Sequence, residues 1–142
     1  MRPAGQEWGT MTFASTLYLG PILDLLLAEV PASWQMELRL GLQEALVNAA
    51  KHGNKLDPRK RITVRFSMID SQYWWVISDE GGGFNPQFCL NDLLPEDESE
   101  CGRGVCLLYT IFDQVQWSAD GRELRLSKSL KKSLPGWLAN FL

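Results

Sequence analysis

The chain has 142 residues, of which 45% are hydrophobic and 22% are charged, and its formal net charge is -3. This size and composition are those of one globular domain with a proper hydrophobic core. The acidic balance, without a basic stripe, argues against nucleic acid as the main partner. The longest apolar run, residues 22–27 with Asp24 inside it, is too short to span a bilayer.

Targeting signals and cysteine spacing indicate the compartment. The first residues carry no apolar segment behind a basic start, so we expect no signal peptide. The cysteines are three in number, and Cys101 and Cys106 are five residues apart, which is not a metal-ligand spacing. These features favour reduced thiols, and we therefore expect a cytoplasmic protein without a membrane segment.

In chain order, residues 1–9 are expected to form a flexible lead-in, and residues 10–129 a single domain. Residues 10–19 alternate loosely and predict a strand. A Gly-Pro break follows, and residues 22–30 then predict a short helix. A long helix is predicted from an N-cap at Ser33 to about His52, where Gly53-Asn54 ends it.

The second half of the chain begins with a predicted hairpin. Residues 61–69 alternate cleanly between apolar and polar side chains, which is typical of a half-buried strand. Asp70-Ser71 is a tight connection to the apolar run at residues 73–77, its expected partner. Two further strands are predicted at residues 115–118 and 123–127.

Between the hairpin and those last strands, residues 85–101 show no periodicity and predict a functional loop. Residues 102–104 then open a helix. The apolar tail, residues 130–142, is expected to pack on the body of the domain or on a partner. The whole pattern predicts an α+β fold, a two-layer α/β sandwich whose helices cover one face of a mixed, mainly antiparallel sheet.

The long helix carries the first candidate site. At 100° per residue, Glu44, Asn48 and Lys51 fall within about 60° of one another, between two apolar flanks. A carboxamide oxygen is a suitable ligand for Mg²⁺, and a carboxylate one turn away can take a proton from a group attacking a γ-phosphate. The alternative is that Glu44 and Asn48 hydrogen-bond each other or a loop.

The second candidate site is the glycine-rich stretch at residues 79–84, which follows the predicted strand. Asp79 ends the strand, and three consecutive glycines then remove every side chain from the turn. Glycine is needed where a ligand approaches the backbone closely or where φ is positive. One acid beside bare backbone predicts a pocket for something flat and polar next to something phosphate-like, although an ordinary turn is the alternative.

Together, residues 44–54, 79–84 and 102–104 resemble the three nucleotide-binding boxes of the Bergerat fold. This ATP-binding domain is shared by gyrase-type ATPases, heat-shock chaperones and histidine kinases. Within that superfamily, the Glu-Ala-x-x-Asn-Ala-x-x-His-Gly wording of the first stretch is similar to that of the anti-sigma-factor serine kinases. The Gly-Arg-Gly-Val-x-Leu-Leu segment at residues 102–108 shares this similarity.

The resemblance implies an ATP and Mg²⁺ site. In it Glu44 would be the catalytic base, Asn48 the magnesium ligand, and Asp79 the acceptor for the adenine amino group. Residues 85–101 would be the ATP lid. The other implied nucleotide contacts are His52 (as a helix-end residue near the lid), Gly81, Gly83, Phe84, Gly102, Arg103 (equally a surface residue) and Gly104. The family has Gly-Thr before its last strand, where the hydroxyl supports the adenine-binding acid, and this chain has Gly121-Arg122 there.

The implied function is that of an ATP-dependent serine kinase. It would bind a sigma factor or similar client and phosphorylate a serine of a STAS-type anti-sigma antagonist, as a homodimer. The alternative is a nucleotide-dependent protein-binding module without phosphoryl transfer. Glu44 favours the kinase, because a site that only binds needs no base. A histidine-kinase catalytic domain is disfavoured, because no phosphoacceptor segment is visible.

Overall fold

The computed structural model describes residues 8–83 and 100–129, and of residues 100–103 only the backbone. The strands are β1 (Gly9–Ala14), β2 (Arg61–Ile69), β3 (Gln72–Asp79), β4 (Gln114–Trp117) and β5 (Glu123–Ser129). The helices are α1 (Gly20–Leu26), α2 (Ala32–Asn48) and α3 (Glu100–Ile111), and a π-helical turn (Ala49–Gly53) follows α2 directly. Of the expected lid, residues 85–101, only the backbone of residues 100 and 101 is described. The apolar tail, residues 130–142, lies outside the described residues.

The strands form one sheet in the order β1-β2-β3-β5-β4. Every pairing between the described strands is antiparallel, so the parallel component implied by a mixed sheet does not occur among them. The expected α+β class, with helices on one face of a mainly antiparallel sheet, is confirmed.

The core lies between α2 and the sheet. The predicted apolar stripe of the long helix is buried, since Leu38, Leu42 and Leu46 are 0% exposed. Burying one such side chain contributes about 1.5–3 kcal/mol. The sheet residues that face this stripe are fully or nearly fully buried, namely Ile62, Val64, Trp75, Ile77 and Leu126. No helix in the described residues is both long enough and apolar enough to cross a membrane.

The hairpin of β2 and β3 confirms its sequence-based prediction. Ile69 pairs with Gln72, so Asp70 and Ser71 form a two-residue turn. Both have positive φ, 51° and 64° respectively. Two consecutive positive φ angles characterise the type I′ turn, whose twist matches that of the flanking strands.

Several predicted boundaries were wrong. The short helix predicted at residues 22–30 spans Gly20–Leu26. The first strand ends at Ala14 rather than at residue 19, because Ala14 pairs with Arg61, the first residue of its partner strand. Ser33 does not cap the long helix; Pro31 occupies the cap position, and no side chain caps it by a hydrogen bond. The helix expected to open at residue 102 already includes residues 100 and 101, since α3 spans Glu100–Ile111.

Candidate functional site

Helix α2 presents Glu44 and Asn48 one turn apart, and both side chains are half-buried. Helix α3 meets them at Gly104. A Cβ atom added there would lie 2.9 Å from the Glu44 Oε2 atom and 3.8 Å from each polar atom of the Asn48 carboxamide. The structure therefore brings together the first and third predicted stretches, and the missing side chain of Gly104 permits this close approach of α3 to the carboxylate.

The Asn48 carboxamide has an unsatisfied group. Its Nδ2 atom is buried and has no hydrogen-bond partner in the described part of the chain, so the amide is not bonded to Glu44. An unpaired buried polar group typically costs about 1–3 kcal/mol. Such groups are tolerated at sites that a ligand completes. The alternative in which Glu44 and Asn48 exist to hydrogen-bond each other is therefore not supported.

The long helix was expected to continue to about His52. Its regular α-helical part ends at Asn48. From Ala49 it widens into the π turn, in which the Asn54 N–H donates to the Ala49 carbonyl oxygen at 2.8 Å. Single π-helical turns are often found at functional sites. His52 lies in this turn, half-buried. The consequence of the wider turn is that Gly53 is carried against the end of β3.

At that contact, two glycines allow a close approach of backbone to backbone. A Cβ atom on Gly81 would overlap the carbonyl oxygen of Gly53, and a Cβ atom on Gly53 would overlap the carboxylate of Asp79. The first and second predicted stretches are therefore in direct contact. Neither contact leaves space for a methyl group.

Asp79 itself is half-buried at the end of β3. Its Oδ1 atom accepts from the Gly81 N–H at 2.8 Å. Burial raises the pKa of this carboxyl, while the Gly81 hydrogen bond and the positive charges of Arg122 and Lys60 act in the opposite direction. The carboxylate is thus a partly desolvated acceptor, suited to a neutral N–H donor such as an amino group.

The raised pKa predicts a pH effect on stability. The native state binds this proton more tightly than the unfolded chain, so the contribution of Asp79 to stability is present at low pH. It is lost as the pH rises from 3.8 through the raised native pKa. Asp79→Asn cannot titrate. We expect the stability of wild type minus that of the variant to fall with rising pH in this window and then level off, as measured by urea unfolding. A difference that stays flat or rises would contradict this.

Asn54 is a site residue that the sequence reasoning treated only as a helix terminator. It is 0% exposed. Its Nδ2 atom donates to the Arg61 carbonyl oxygen at 3.1 Å, and its Oδ1 atom accepts from the Glu80 N–H at 2.9 Å. It therefore ties the end of the π turn to the start of β2 and the end of β3. The available signal in the sequence was an asparagine directly after a helix-ending glycine. The sequence does not show that this side chain is buried.

Removing this tie should be measurable. Asn54→Ala would leave two main-chain groups without partners, and each such loss costs about 1–3 kcal/mol. We expect a loss of about 2 kcal/mol in the free energy of unfolding, measured in urea. Exposed Gln43 on α2 offers a control, since Gln43→Ala should change the free energy by less than about 0.5 kcal/mol. Equal effects of the two substitutions would contradict the assignment.

The remaining predicted contacts are placed as follows. Gly83 has a φ of 99°, as expected for a glycine-dependent turn. Gly102 and Arg103 lie within α3. Phe84 lies outside the described residues. In the described part of the chain, no group of three or more His, Cys, Asp or Glu side chains is arranged to hold a metal ion.

Comparison with known proteins points in one direction. The family model described as "Histidine kinase-like ATPase domain" matches residues 24–128. The chain is 29% identical to the serine-protein kinase RsbW of Bacillus licheniformis over 104 residues, which are 68% of this chain and 65% of that protein. It is also 29% identical to RsbW of Bacillus subtilis (strain 168) over 87 residues, 56% of this chain and 54% of that protein. The chain thus spans between about half and two thirds of the length of these curated relatives.

Proposed function

Because the chain belongs to the histidine kinase-like ATPase family, we propose that it binds ATP and transfers the γ-phosphoryl group to a serine of a partner protein. The observation that carries the proposal is the contact of α2 with two glycine-containing segments. Gly104 lets α3 pack closely against Glu44 and Asn48, and Gly81 is in contact with the π turn that continues the same helix. One helix thereby connects a polar pair to the acid and the bare backbone at the end of β3.

In this proposal the adenine base and the phosphates of ATP occupy different ends of the site. The adenine amino group donates to the half-buried carboxylate of Asp79. The glycine turn lets the nucleotide lie against the backbone, and the phosphates lie near the polar pair on α2 and the start of α3. Helix N-termini favour anions because their first amide groups are unpaired. His52, Phe84, Gly102 and Arg103 complete the proposed contacts on the strength of the family resemblance alone.

A magnesium ion fits the residues present. The side-chain oxygen of Asn48 is of the type that Mg²⁺ prefers. The unpaired Nδ2 of the same carboxamide is a donor, so a phosphate oxygen rather than the cation would satisfy it. Asn48 would hold the ion together with oxygens of the nucleotide. When bound, the ion would neutralise charge on the phosphates.

Glu44 is the proposed general base of the phosphoryl transfer. Its carboxylate would accept the proton of the serine hydroxyl as the oxygen forms its bond to the γ-phosphorus. The bond from the γ-phosphorus to the bridging oxygen breaks, and ADP leaves with that oxygen. Such positioned proton transfer typically contributes about 10²–10⁴-fold to the rate.

The partners are proposed from the serine kinases that the chain resembles. We propose a STAS-type anti-sigma antagonist as the protein that is phosphorylated, a sigma factor or similar client as the protein that is bound, and a homodimer as the working form. The second candidate function is a nucleotide-dependent binding module without phosphoryl transfer. The presence of Glu44 beside Asn48 favours the kinase over this module.

The test uses the wild-type chain with γ-labelled ATP, Mg²⁺ and candidate antagonist proteins. We expect label to appear on a serine of one antagonist, identified by mass spectrometry. ATP binding without label on any candidate would favour the binding module. No ATP binding at all would contradict both functions.

A further inference from the structure

Arg122 lies opposite the carboxylate of Asp79. The register of β3 and β5 pairs Ser78 with Glu123, and at the next position the Asp79 N–H donates to the Arg122 carbonyl oxygen at 3.0 Å. Opposed residues in antiparallel strands share a face, with Cβ atoms about 4.5–5.5 Å apart. Both side chains therefore leave the sheet on the side that carries the helices and the candidate site.

The turn before Arg122 is held firmly against the glycine turn. A Cβ atom on Gly83 would overlap the carbonyl oxygen of Asp120. The side chain of Asp120 in turn organises its own loop, since its Oδ1 atom accepts from the Arg122 N–H at 3.1 Å and hydrogen-bonds the Ser118 hydroxyl at 2.7 Å. The backbone of Arg122 is thus fixed between the glycine turn and Asp79.

The guanidinium of Arg122 has no assigned structural role. It is exposed, and it makes no hydrogen bond or ion pair with any residue the structure describes. By contrast, Arg65 and Arg125 on the opposite face of the sheet both pair with Glu123, at 3.3 Å and 3.4 Å. The positive charge of Arg122 does reach the site, because it lowers the pKa of Asp79 against the effect of burial.

We infer that Arg122 is a second base-reading residue of the purine site, donating a hydrogen bond to a ring nitrogen next to the amino group that Asp79 accepts. This inference rests on the proposed ATP-binding function. The amino group of adenine is flanked by two acceptors, N1 and N7. A carboxylate only accepts and a guanidinium only donates, so the pair matches one donor and one adjacent acceptor on the edge of the base. Arg122 thereby determines both affinity and selectivity for the base.

The test measures dissociation constants of ATP, 1-deaza-ATP and 7-deaza-ATP for three proteins by calorimetry. The proteins are the wild type, Arg122→Ala and the control Arg125→Ala, which makes the same change three residues further on, on the opposite face of the sheet. A hydrogen bond from a charged donor supports an expected loss of about 10-fold or more in ATP affinity for Arg122→Ala. One of the two analogues should bind wild type about as weakly as ATP binds Arg122→Ala. That analogue should lose little further affinity in the variant, and Arg125→Ala should behave as wild type.

Two results would overturn the inference. One is an unchanged ATP affinity in Arg122→Ala. The other is the same fold-loss for ATP and for both analogues, since the guanidinium would then act on something other than a ring nitrogen. Unfolding temperatures of both variants show whether either fold is lost. Failure of wild type to bind ATP would instead count against the proposed function, so the two failures are distinguishable.

Discussion

Glu44→Gln is expected to abolish phosphoryl transfer to the antagonist while ATP still binds. Glutamine has nearly the same shape as glutamate, so its packing against Gly104 and the neighbouring Asn48 should be preserved. It cannot accept the proton of the attacking hydroxyl, and loss of a general base typically lowers the rate by about 10²–10⁴-fold. The measurement is the single-turnover rate of label transfer, alongside ATP affinity by calorimetry.

The control for this substitution lies on the same helix. Glu37 is exposed, and its Oε1 atom lies 3.5 Å from the Lys128 Nζ atom, which is a long contact. Surface ion pairs of this kind contribute little to stability. Glu37→Gln should therefore transfer label at the wild-type rate. Undiminished transfer by Glu44→Gln would remove Glu44 as the base. Loss of ATP binding together with transfer would show that Glu44 supports the pocket rather than the reaction.

The glycine turn allows an unusually direct comparison between two adjacent residues. In Gly81→Ala the new methyl group would overlap the carbonyl oxygen of Gly53, which is backbone and cannot rotate away. At Gly82, a Cβ atom would have nothing within 4 Å. We expect Gly81→Ala to lose about 1–3 kcal/mol of stability by overpacking and to lose ATP binding, because the π turn must separate from the end of β3.

Gly82→Ala should leave ATP affinity close to that of the wild type. It should be neutral or slightly stabilising, because alanine restricts the unfolded chain by about 0.4–1 kcal/mol where the native backbone accepts it. Chemical unfolding and nucleotide titration of both variants provide the check. Equal ATP affinities for the two variants would mean that the contact between Gly81 and the π turn does not shape the pocket.

The parts of the fold that were predictable from the sequence are governed by local patterns. The alternation along β2 and the two-residue turn at Asp70-Ser71 depend on neighbouring residues only, and the structure has both. The leucine stripe of α2 follows from helical periodicity, and it is buried as expected. The fold class followed from the order of these elements, with support from the family resemblance.

The parts that were missed depend on contacts between distant segments. The π turn places Gly53 against Asp79, which is 26 residues further along the chain. The burial of Asn54 depends on two strands that the helix signals do not mention. The end of β1 is set by the first residue of its partner strand rather than by its own alternation. None of these contacts has a signature in a short window of sequence.

The candidate site likewise combines features that local sequence patterns predict with features that depend on contacts between distant segments. Glu44 and Asn48 were correctly expected on one face of the helix, but only the structure places Gly104 beside them. Likewise, the register that sets Arg122 opposite Asp79 is a property of the sheet. From the sequence, Arg122 was visible only as a departure from the family pattern, at the position whose hydroxyl supports the adenine-binding acid in the family.

The most direct test of the account is a calorimetric titration of the wild-type chain with ATP and with ADP in the presence of Mg²⁺. We predict saturable binding of both nucleotides at one site per chain. Asp79 would bind the adenine base, the glycine turn would lie against the nucleotide, and Asn48 would act near the phosphates of the same molecule. The absence of binding heat for either nucleotide at two temperatures would contradict the account.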